Sequence, residues 1–267
     1  MFKTRLLSGI ILVIIAFLTI YSGGYVLWAT LAVVSLIGLR ELYQVVKSEN
    51  NVLGLAGYLA ALAYYVVLLL KPDDFRLQVM IFIAALVAVM AVYVFSFPKY
   101  TSDQVSMVYF GVIYVAVMLS FIYQTRLLKD GLFLVGLVFL CSWGCDTCAY
   151  CVGVLIGKHK MAPKLSPKKS VEGGVGGLVG AALLGALYAL AINQWSGTTA
   201  NPAEFALICF VGGMISMVGD LAASAIKRNH DIKDYGKLIP GHGGILDRFD
   251  SVIFTAPVIY FMAMAII

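Results

Sequence analysis

The sequence predicts an all-α, polytopic integral membrane protein with about nine transmembrane helices and a cytoplasmic amino terminus. Hydrophobic residues make up 61% of its 267 residues and charged residues only 12%, whereas charged residues reach about a quarter of a soluble domain. A membrane-spanning helix needs about 20 mostly apolar residues, and nine segments of the chain come close to or meet this length. Little of the chain is left for a soluble domain.

The nine predicted spans are joined by short connections in the first half of the chain and by longer polar loops in the second half. They cover residues 6–21, 24–45, 52–70, 78–97, 103–124, 131–157, 172–193, 203–226 and 248–266. The first span follows Lys3 and Arg5, but no A-x-A-like cleavage site comes after it. We therefore expect it to be retained as a membrane helix.

Positive charge is concentrated on one predicted side of the membrane. Fifteen of the nineteen Lys and Arg residues lie on the same side as the amino terminus, and loops rich in Lys and Arg are typically cytoplasmic. The net charge of +5 thus favours anionic lipid headgroups or anionic substrates at the cytoplasmic face. Nucleic acid is a poor alternative, because the basic residues lie in short loops between spans. We expect a protein of the cytoplasmic (inner) membrane whose active site faces the cytoplasm.

The two halves of the chain differ in where they place charged residues. Residues 1–130 are predicted to form a scaffold, and residues 131–267 a catalytic half of the same integral domain, with cytoplasmic loops at 158–170 and 227–246. A charged residue inside a span costs about 2.5–3.5 kcal/mol on insertion scales and therefore indicates a functional site. The carboxylates in or at the spans of the second half are Asp146, Asp220, Asp247 and Asp250.

The stretch CSWGCDTCAYC, residues 141–151, holds four of the five cysteines around Asp146. On a regular helix Cys141 and Cys151 are roughly 15 Å apart along the axis, too far for thiolates that each lie about 2.3 Å from one metal ion. We interpret the cysteines as a small apolar stripe, with a metal or disulfide role as the alternative. Asp146 points to another face, typical of the border of a wet cavity; an aspartate hydrogen-bonded between helices is the alternative. That face comprises Ser142, Ala149, Tyr150 and Gly153.

Small residues recur every four positions in the predicted span 172–193. The pairs Gly173 with Gly177 and Gly176 with Gly180 allow helix backbones to approach closely. We predict that these glycines pack against other helices of the same chain. A homodimer contact is the alternative.

The stretch between the last two spans places carboxylates and cations at helix ends. One helical face carries Asp220, Ser224, Lys227 and Arg228, and a face of the next helix carries Asp247 and Asp250. Carboxylates combined with water suit a hard divalent cation, above all magnesium. The arrangement therefore indicates a metal site next to positive charge.

Two glycine-rich helix starts favour anion binding. The PGHGG run at 240–244 precedes the last span, and a helix amino terminus offers N–H groups to an anion; His242 either contacts a phosphate or caps the loop. Lys168 and Lys169 lie beside the start of span 172–193, where they could clamp a phosphate. The chain has no P-loop of the form G-x-x-x-x-G-K-[ST]. The chemistry indicated is metal-assisted transfer on phosphates.

A long motif covers the same stretch. The pattern S-x-[aliphatic]-K-R-x4-K-D-x-[GSA]-x2-[LIF]-[PG]-x-H-G-G-[aliphatic]-x-D-R-[LIVMFT]-D is met from Ser224 to Asp250. By this motif the chain resembles the phosphatidate cytidylyltransferases, or CDP-diacylglycerol synthases. DTCAY at 146–150 resembles their D-x-x-A-Y motif, and SPKKSVEGG at 166–174 resembles SPKKTxEG with Ser170 in place of threonine.

The resemblance implies that phosphatidate and CTP condense to CDP-diacylglycerol and pyrophosphate, with magnesium required. Asp220 and Asp247 would be the principal metal ligands, with Asp146 and Asp250 as further carboxylates and a second metal ion as an option. The predicted catalytic residues are Asp220, Asp247, Lys227, Arg228 and Arg248. The residues predicted to bind substrate phosphates or CTP are Lys168, Lys169, Ser224, Lys233, His242, Gly243 and Gly244. Alternatives are a CTP-dependent polyprenol kinase, another lipid cytidylyltransferase and a cation transporter.

Overall fold

The structure, a computed structural model, describes residues 2–267, with side chains from Leu7 onward. The side chains of Lys3 and Arg5, which contributed to the predicted orientation, lie outside this description. The described chain is mainly helical, with one short β-hairpin in the second half.

Eleven helices and two strands follow one another along the described chain. They are α1 (Phe2–Ser22), α2 (Gly24–Val45), α3 (Val52–Leu70), α4 (Phe75–Phe95), α5 (Ser102–Gly111), α6 (Met118–Leu127), α7 (Gly131–Phe139), α8 (Cys145–Ile156), β1 (Lys160–Ala162), β2 (Ser166–Ser170), α9 (Val171–Ser196), α10 (Pro202–Asn229) and α11 (Leu246–Ile266). Two π-helical turns, Val112–Val117 and Leu140–Gly144, join α5 to α6 and α7 to α8. Each of these pairs therefore forms one continuous span.

Within the described residues, eight helical spans are long and apolar enough to cross a membrane, and α1 adds a shorter apolar stretch, Leu7–Ser22. The predicted spans 24–45 and 52–70 coincide with α2 and α3. The predicted span 78–97 begins earlier, at Phe75, because the Asp74 side chain accepts the first N–H groups of α4. The prediction of an all-α integral membrane protein is confirmed.

The chain divides into two compact units. Unit 1 comprises the residues up to Gln124 together with Asp234–Arg248, and unit 2 comprises Thr125–Lys233 and Phe249–Ile267. The sequence predicted a division near residue 130, with the whole of 227–246 in the carboxyl-terminal half. In the structure most of that loop belongs with the amino-terminal helices of unit 1.

The interior of unit 1 contains tyrosines whose hydroxyl groups are paired. Tyr65 Oη lies 2.8 Å from Ser35 Oγ, and Tyr64 Oη lies 3.0 Å from Ser120 Oγ. Tyr43 donates to the carbonyl oxygen of Val108 at 2.9 Å. An unpaired polar group costs several kcal/mol in a lipid-like interior, so these bonds allow polar aromatic side chains to be buried in the unit.

The interior of unit 2 is built around α9, which packs against α8 and α10. A Cβ atom on Gly177 would lie 2.9 Å from Ala149 Cβ of α8, and one on Gly185 would lie 2.6 Å from Cys209 Sγ of α10. A Cβ on Gly212 would lie 2.6 Å from Cys141 Sγ. The predicted packing role of the α9 glycines is confirmed, and buried cysteines fill the space that glycines leave.

Candidate active site

Two carboxylates of unit 2 are brought together by the close approach of α10 and α11. A Cβ on Gly219 would lie 2.8 Å from the carbonyl oxygen of Asp250 and 3.0 Å from Phe254 Cβ, so only a glycine leaves the helices this close. The neighbouring residue, Asp220, lies near enough to Asp250 for the two charges to repel. The sequence predicted both residues for the site, and unit 2 places them together.

Ser251 connects Asp250 to a third carboxylate. It is 2% exposed, its N–H group donates to Asp250 Oδ1 at 2.8 Å, and its hydroxyl donates to Asp146 Oδ2 at 3.2 Å. Asp146 therefore faces the same group of side chains as Asp220 and Asp250, which we call the carboxylate cluster. Its members are Asp146, Asp220 and Asp250.

Two lysines bring positive charge to the carboxylate cluster. Lys169 forms an ion pair with Asp220. Lys227 is 8% exposed, and its charge acts favourably on Asp250. Buried ammonium groups are stable only when they are paired. These contacts therefore explain how two of the predicted site cations can be partly buried.

A short β-hairpin positions Lys169. Strands β1 and β2 pair in antiparallel register, with Lys160 opposite Ser170. The Ser170 hydroxyl accepts the N–H group of Gly173 at 3.1 Å and so caps α9. The Glu172 carboxylate accepts the N–H groups of Lys158 and His159. The motif with Ser170 in place of threonine thus retains its hydroxyl for a capping role that serine and threonine share.

A cavity of about 530 Å³ opens beside the cluster within unit 2. Two of the three carboxylates, Asp146 and Asp220, line it together with Lys168 and Lys169. Ala149, Tyr150 and Gly153 also line it, as expected for the small-residue face around Asp146. The remaining residue expected on that face, Ser142, instead donates to the carbonyl oxygen of Val138 at 2.8 Å.

The other predicted residues of unit 2 lie on the same helix or on the loop after it. The Ser224 hydroxyl donates to Asp220 Oδ1 at 3.4 Å. Arg228 is exposed and donates to the carbonyl oxygen of Ile232 at 3.0 Å, where it helps to close the end of α10. Lys233 is exposed. The predicted face of α10 therefore has Asp220 in the carboxylate cluster at one end and Arg228 at the protein surface at the other.

The remaining predicted residues lie in unit 1, in the segment Asp234–Arg248. Asp247 is 5% exposed, and its Oδ2 accepts the N–H groups of Tyr235 at 2.8 Å and Gly244 at 3.0 Å. The N–H group of Ile239 donates to the carbonyl oxygen of Gly243 at 2.8 Å. These bonds close the segment into a compact turn.

Glycine is required twice within this turn. Gly241 has φ 78° and Gly243 has φ 87°, in a region that residues with a Cβ rarely adopt. His242 lies between them, with Nδ1 2.8 Å from the Ser8 hydroxyl. That hydroxyl also donates to the carbonyl oxygen of Pro240 at 3.1 Å. Helix α1 thus contacts His242, for which the sequence left two roles open, a phosphate contact and a capping role.

The start of α11 differs from the anion site that the sequence predicted. The N–H group of Gly244 donates to Asp247, and those of Ile245 and Leu246 donate to the Glu41 carboxylate at 3.0 and 2.8 Å. These are the groups that were expected to bind an anion. The expectation that they are available was wrong, because two carboxylates of the chain itself already accept them.

The carboxylate cluster can supply part of a magnesium site. In the described part of the chain, no group of three or more His, Cys, Asp or Glu side chains is placed to hold a metal ion by itself. Magnesium, however, is commonly bound by one or two carboxylates together with water and substrate phosphates. The oxygen donors of Asp146 and Asp220 beside a cavity fit that coordination.

Three residues of these arrangements were missed by the sequence analysis: Ser8, Glu41 and Ser251. Glu41 had a usable signal, because it is a carboxylate inside an apolar span, the same signal that singled out Asp146 and Asp220. Ser8 and Ser251 are single serines in helices and offer no pattern. Their roles depend on partners 234 and 105 residues away in the sequence.

Comparison with known proteins places this helical membrane protein among nucleotidyl-transferring enzymes. The model of the cytidylyltransferase family matches residues 3–266, and the chain belongs to this family. It is 33% identical to a phosphatidate cytidylyltransferase of Staphylococcus epidermidis over 96% of this chain and 97% of the relative. It is also 32% identical to the enzymes of that name from Staphylococcus saprophyticus, over 99% and 100%, and Staphylococcus aureus, over 96% and 97%.

Proposed function

We propose that this protein transfers the cytidylyl group of CTP to phosphatidate, giving CDP-diacylglycerol and pyrophosphate for phospholipid synthesis. The observation that carries the proposal is the carboxylate cluster with Lys169 and Lys227, beside a cavity in a membrane-embedded unit. Family membership and relatives named phosphatidate cytidylyltransferase support it. Diacyl chains can remain in the bilayer while the polar reactants meet at such a cavity.

The reaction requires two polyanions to approach each other. A phosphate oxygen of phosphatidate attacks the α-phosphorus of CTP, the bond from that phosphorus to the β-phosphate oxygen breaks, and pyrophosphate leaves. A phosphate monoester already carries about −1.5 to −2 charge near neutral pH, so no strong general base is required. Catalysis then depends mainly on positioning and on neutralising charge.

The residues of unit 2 suit these two tasks. Lys168 and Lys169 at the cavity, and Lys227 beside Asp250, are proposed to bind the phosphates. Asp220 and Asp146, with Asp250 beside them, are proposed to hold magnesium together with substrate phosphates, whose charge the bound ion neutralises. Asp247 remains a proposed ligand, and Arg248, His242 and Gly243 are proposed to contact CTP. The site is proposed to face the cytoplasm, where the basic loops are predicted to lie.

A direct assay tests the proposal. Purified protein in mixed micelles with CTP, phosphatidate and magnesium should release pyrophosphate and form CDP-diacylglycerol. A lipid-kinase activity would instead release CDP, and another phospholipid cytidylyltransferase would prefer a different lipid from a panel. Folded protein that releases no pyrophosphate with any lipid of the panel would overturn the proposal, and the absence of CDP as well would favour a transport function.

Asp220→Asn should lower the rate of pyrophosphate release by at least about 100-fold, because the charge that pairs with Lys169 and helps to hold the cation is lost. Asp103→Asn provides a matched control, since Asp103 is exposed in the first turn of α5 and loses the same charge. Comparable activity of the two variants would remove Asp220 from the proposed site.

A further inference from the structure

Glu41 is a buried carboxylate of α2 that joins two distant parts of unit 1. It is 5% exposed. Its Oε1 accepts the N–H group of Ile245 at 3.0 Å and its Oε2 accepts that of Leu246 at 2.8 Å. These residues lie more than 200 positions further along the chain, where α11 begins. Both carboxylate oxygens are therefore used to hold backbone at the end of the segment Asp234–Arg248.

The start of α11 needs such an external partner. The first N–H groups of a helix have no acceptor within the helix, and Ser, Thr, Asp or Asn just before the helix usually supplies one. Here Gly244 and Ile245 occupy those positions, and neither has a side chain that can accept. A carboxylate at a helix amino terminus also interacts favourably with the helix dipole. Glu41 thus accepts two N–H groups at a helix start that has no local capping side chain.

Asp247 accepts further backbone N–H groups of the segment Asp234–Arg248. With the N–H groups of Gly244 and Tyr235 bonded to Asp247, and those of Ile245 and Leu246 bonded to Glu41, three consecutive backbone groups are held by two carboxylates. The position of the Asp247 side chain therefore depends on the backbone that Glu41 holds.

The sequence leaves room for the Glu41 side chain. A Cβ on Gly244 would overlap with both carboxylate oxygens of Glu41, and one on Gly236 would overlap with Oε1. Neither residue is among the glycines of positive φ, so backbone conformation does not account for them. The close approach of Glu41 gives a physical reason for a glycine at both positions of the long motif.

We propose that Glu41 is a positioning residue for Asp247: it acts through the segment Asp234–Arg248 and sets the orientation of the Asp247 carboxylate. The part of this inference that concerns activity rests on the proposed function. The part that concerns the segment is independent of the proposed function, because it concerns only which groups hold the backbone of residues 244–246.

Hydrogen exchange tests the contact independently of any activity. In Glu41→Gln the amide of the new side chain can accept one N–H group but opposes the other with its own NH₂ group. Exchange in peptides covering 234–248 should become faster by about tenfold or more, while exchange in the rest of the protein stays the same. The matched control is Glu49→Gln, which removes a carboxylate from the connection after α2. Unchanged exchange in 234–248 would overturn the inference.

The magnesium dependence of turnover separates positioning from folding. A variant that only folds less well would have fewer active molecules and an unchanged half-saturating magnesium concentration. If Glu41 orients Asp247, that concentration should rise by about tenfold in Glu41→Gln and stay at the wild-type value in Glu49→Gln. Faster exchange without a rise in the half-saturating magnesium concentration would show that Glu41 only stabilises the backbone and would overturn its positioning role. An inactive wild-type protein would refute the proposed function, and the exchange experiment would still decide the contact.

Discussion

At the scale of single residues, Ser251 shows how one hydroxyl can organise a group of like charges. Carboxylates repel one another, and their positions are maintained only when other groups hold them. In unit 2 the backbone and side chain of Ser251 donate to two of the three carboxylates, and Lys169 pairs with the third. The cluster is therefore ordered by one serine and by cations rather than by the aspartates themselves.

Ser251→Ala should reduce pyrophosphate release by about tenfold, since one hydrogen bond to a charged group is lost, worth about 1.5 kcal/mol. The matched control is Thr255→Val, which removes a buried hydroxyl from the same helix. That hydroxyl donates only to the carbonyl oxygen of Val252 within α11, so turnover should stay within about twofold of wild type. Steady-state rates at saturating substrates distinguish the two, and equal rates would exclude a role for Ser251 in orienting Asp146.

At the scale of helices, the span that carries Asp146 is not a regular α-helix. The π-helical turn Leu140–Gly144 comes directly before α8, and such turns occur frequently at functional sites. The predicted distance between Cys141 and Cys151 assumed a regular helix through this stretch. The conclusion that the cysteines pack as apolar side chains agrees with the contacts of Cys141 and Cys145 against glycines of α9 and α10. The residue pattern does not predict the π-helical turn at Leu140–Gly144.

Gly219→Ala tests whether the spacing of α10 and α11 matters. The new methyl group would meet the carbonyl oxygen of Asp250 at 2.8 Å, and because a backbone atom cannot easily move aside, we expect the helices to separate. Thermal stability and turnover should both fall, by about 1–3 kcal/mol in stability. The control is Gly213→Ala in the same helix, whose nearest neighbour would be the flexible end of Leu178 at 3.2 Å. If both variants melt and react alike, close spacing at Gly219 is not important.

At the scale of the whole molecule, the distribution of charge predicts how the chain lies in the membrane. The exposed lysines of the hairpin region are on the side that the positive-inside rule assigns to the cytoplasm, whereas Lys71 and Arg76, at the connection between α3 and α4, are assigned to the other side. This orientation of the chain in the membrane is a prediction.

Limited proteolysis of sealed membrane vesicles tests the orientation. Trypsin added to inside-out vesicles should cut near Lys164, which is exposed in the turn of the hairpin. It should leave the bond after Arg76 intact, which is the cleavable site of the connection between α3 and α4, since Lys71 precedes a proline. Right-side-out vesicles should give the opposite pattern, and this second preparation is the internal control. Cleavage near Lys164 only in right-side-out vesicles would reverse the topology and place the cluster on the other face.

The sequence by itself determined the class of protein, and it indicated most of the residues that are proposed for the site. Long apolar segments are readable because lipid requires each span to satisfy its own backbone hydrogen bonds, and carboxylates inside them are conspicuous because they are costly. Local spacing also predicted a shared face of α10 for Asp220, Ser224, Lys227 and Arg228. The hydrogen bond between Ser224 and Asp220 confirms that these two side chains share a face.

Only the tertiary structure decided which groups hold these residues in place. The contacts of Glu41 with Ile245 and Leu246, and of Ser251 with Asp146, join residues 204, 205 and 105 positions apart. Periodicity reports which side chains share a face of one helix, and it contains no information about which helices approach each other. For the same reason the sequence predicted that the start of α11 binds a substrate anion, whereas in the fold Glu41 accepts its N–H groups.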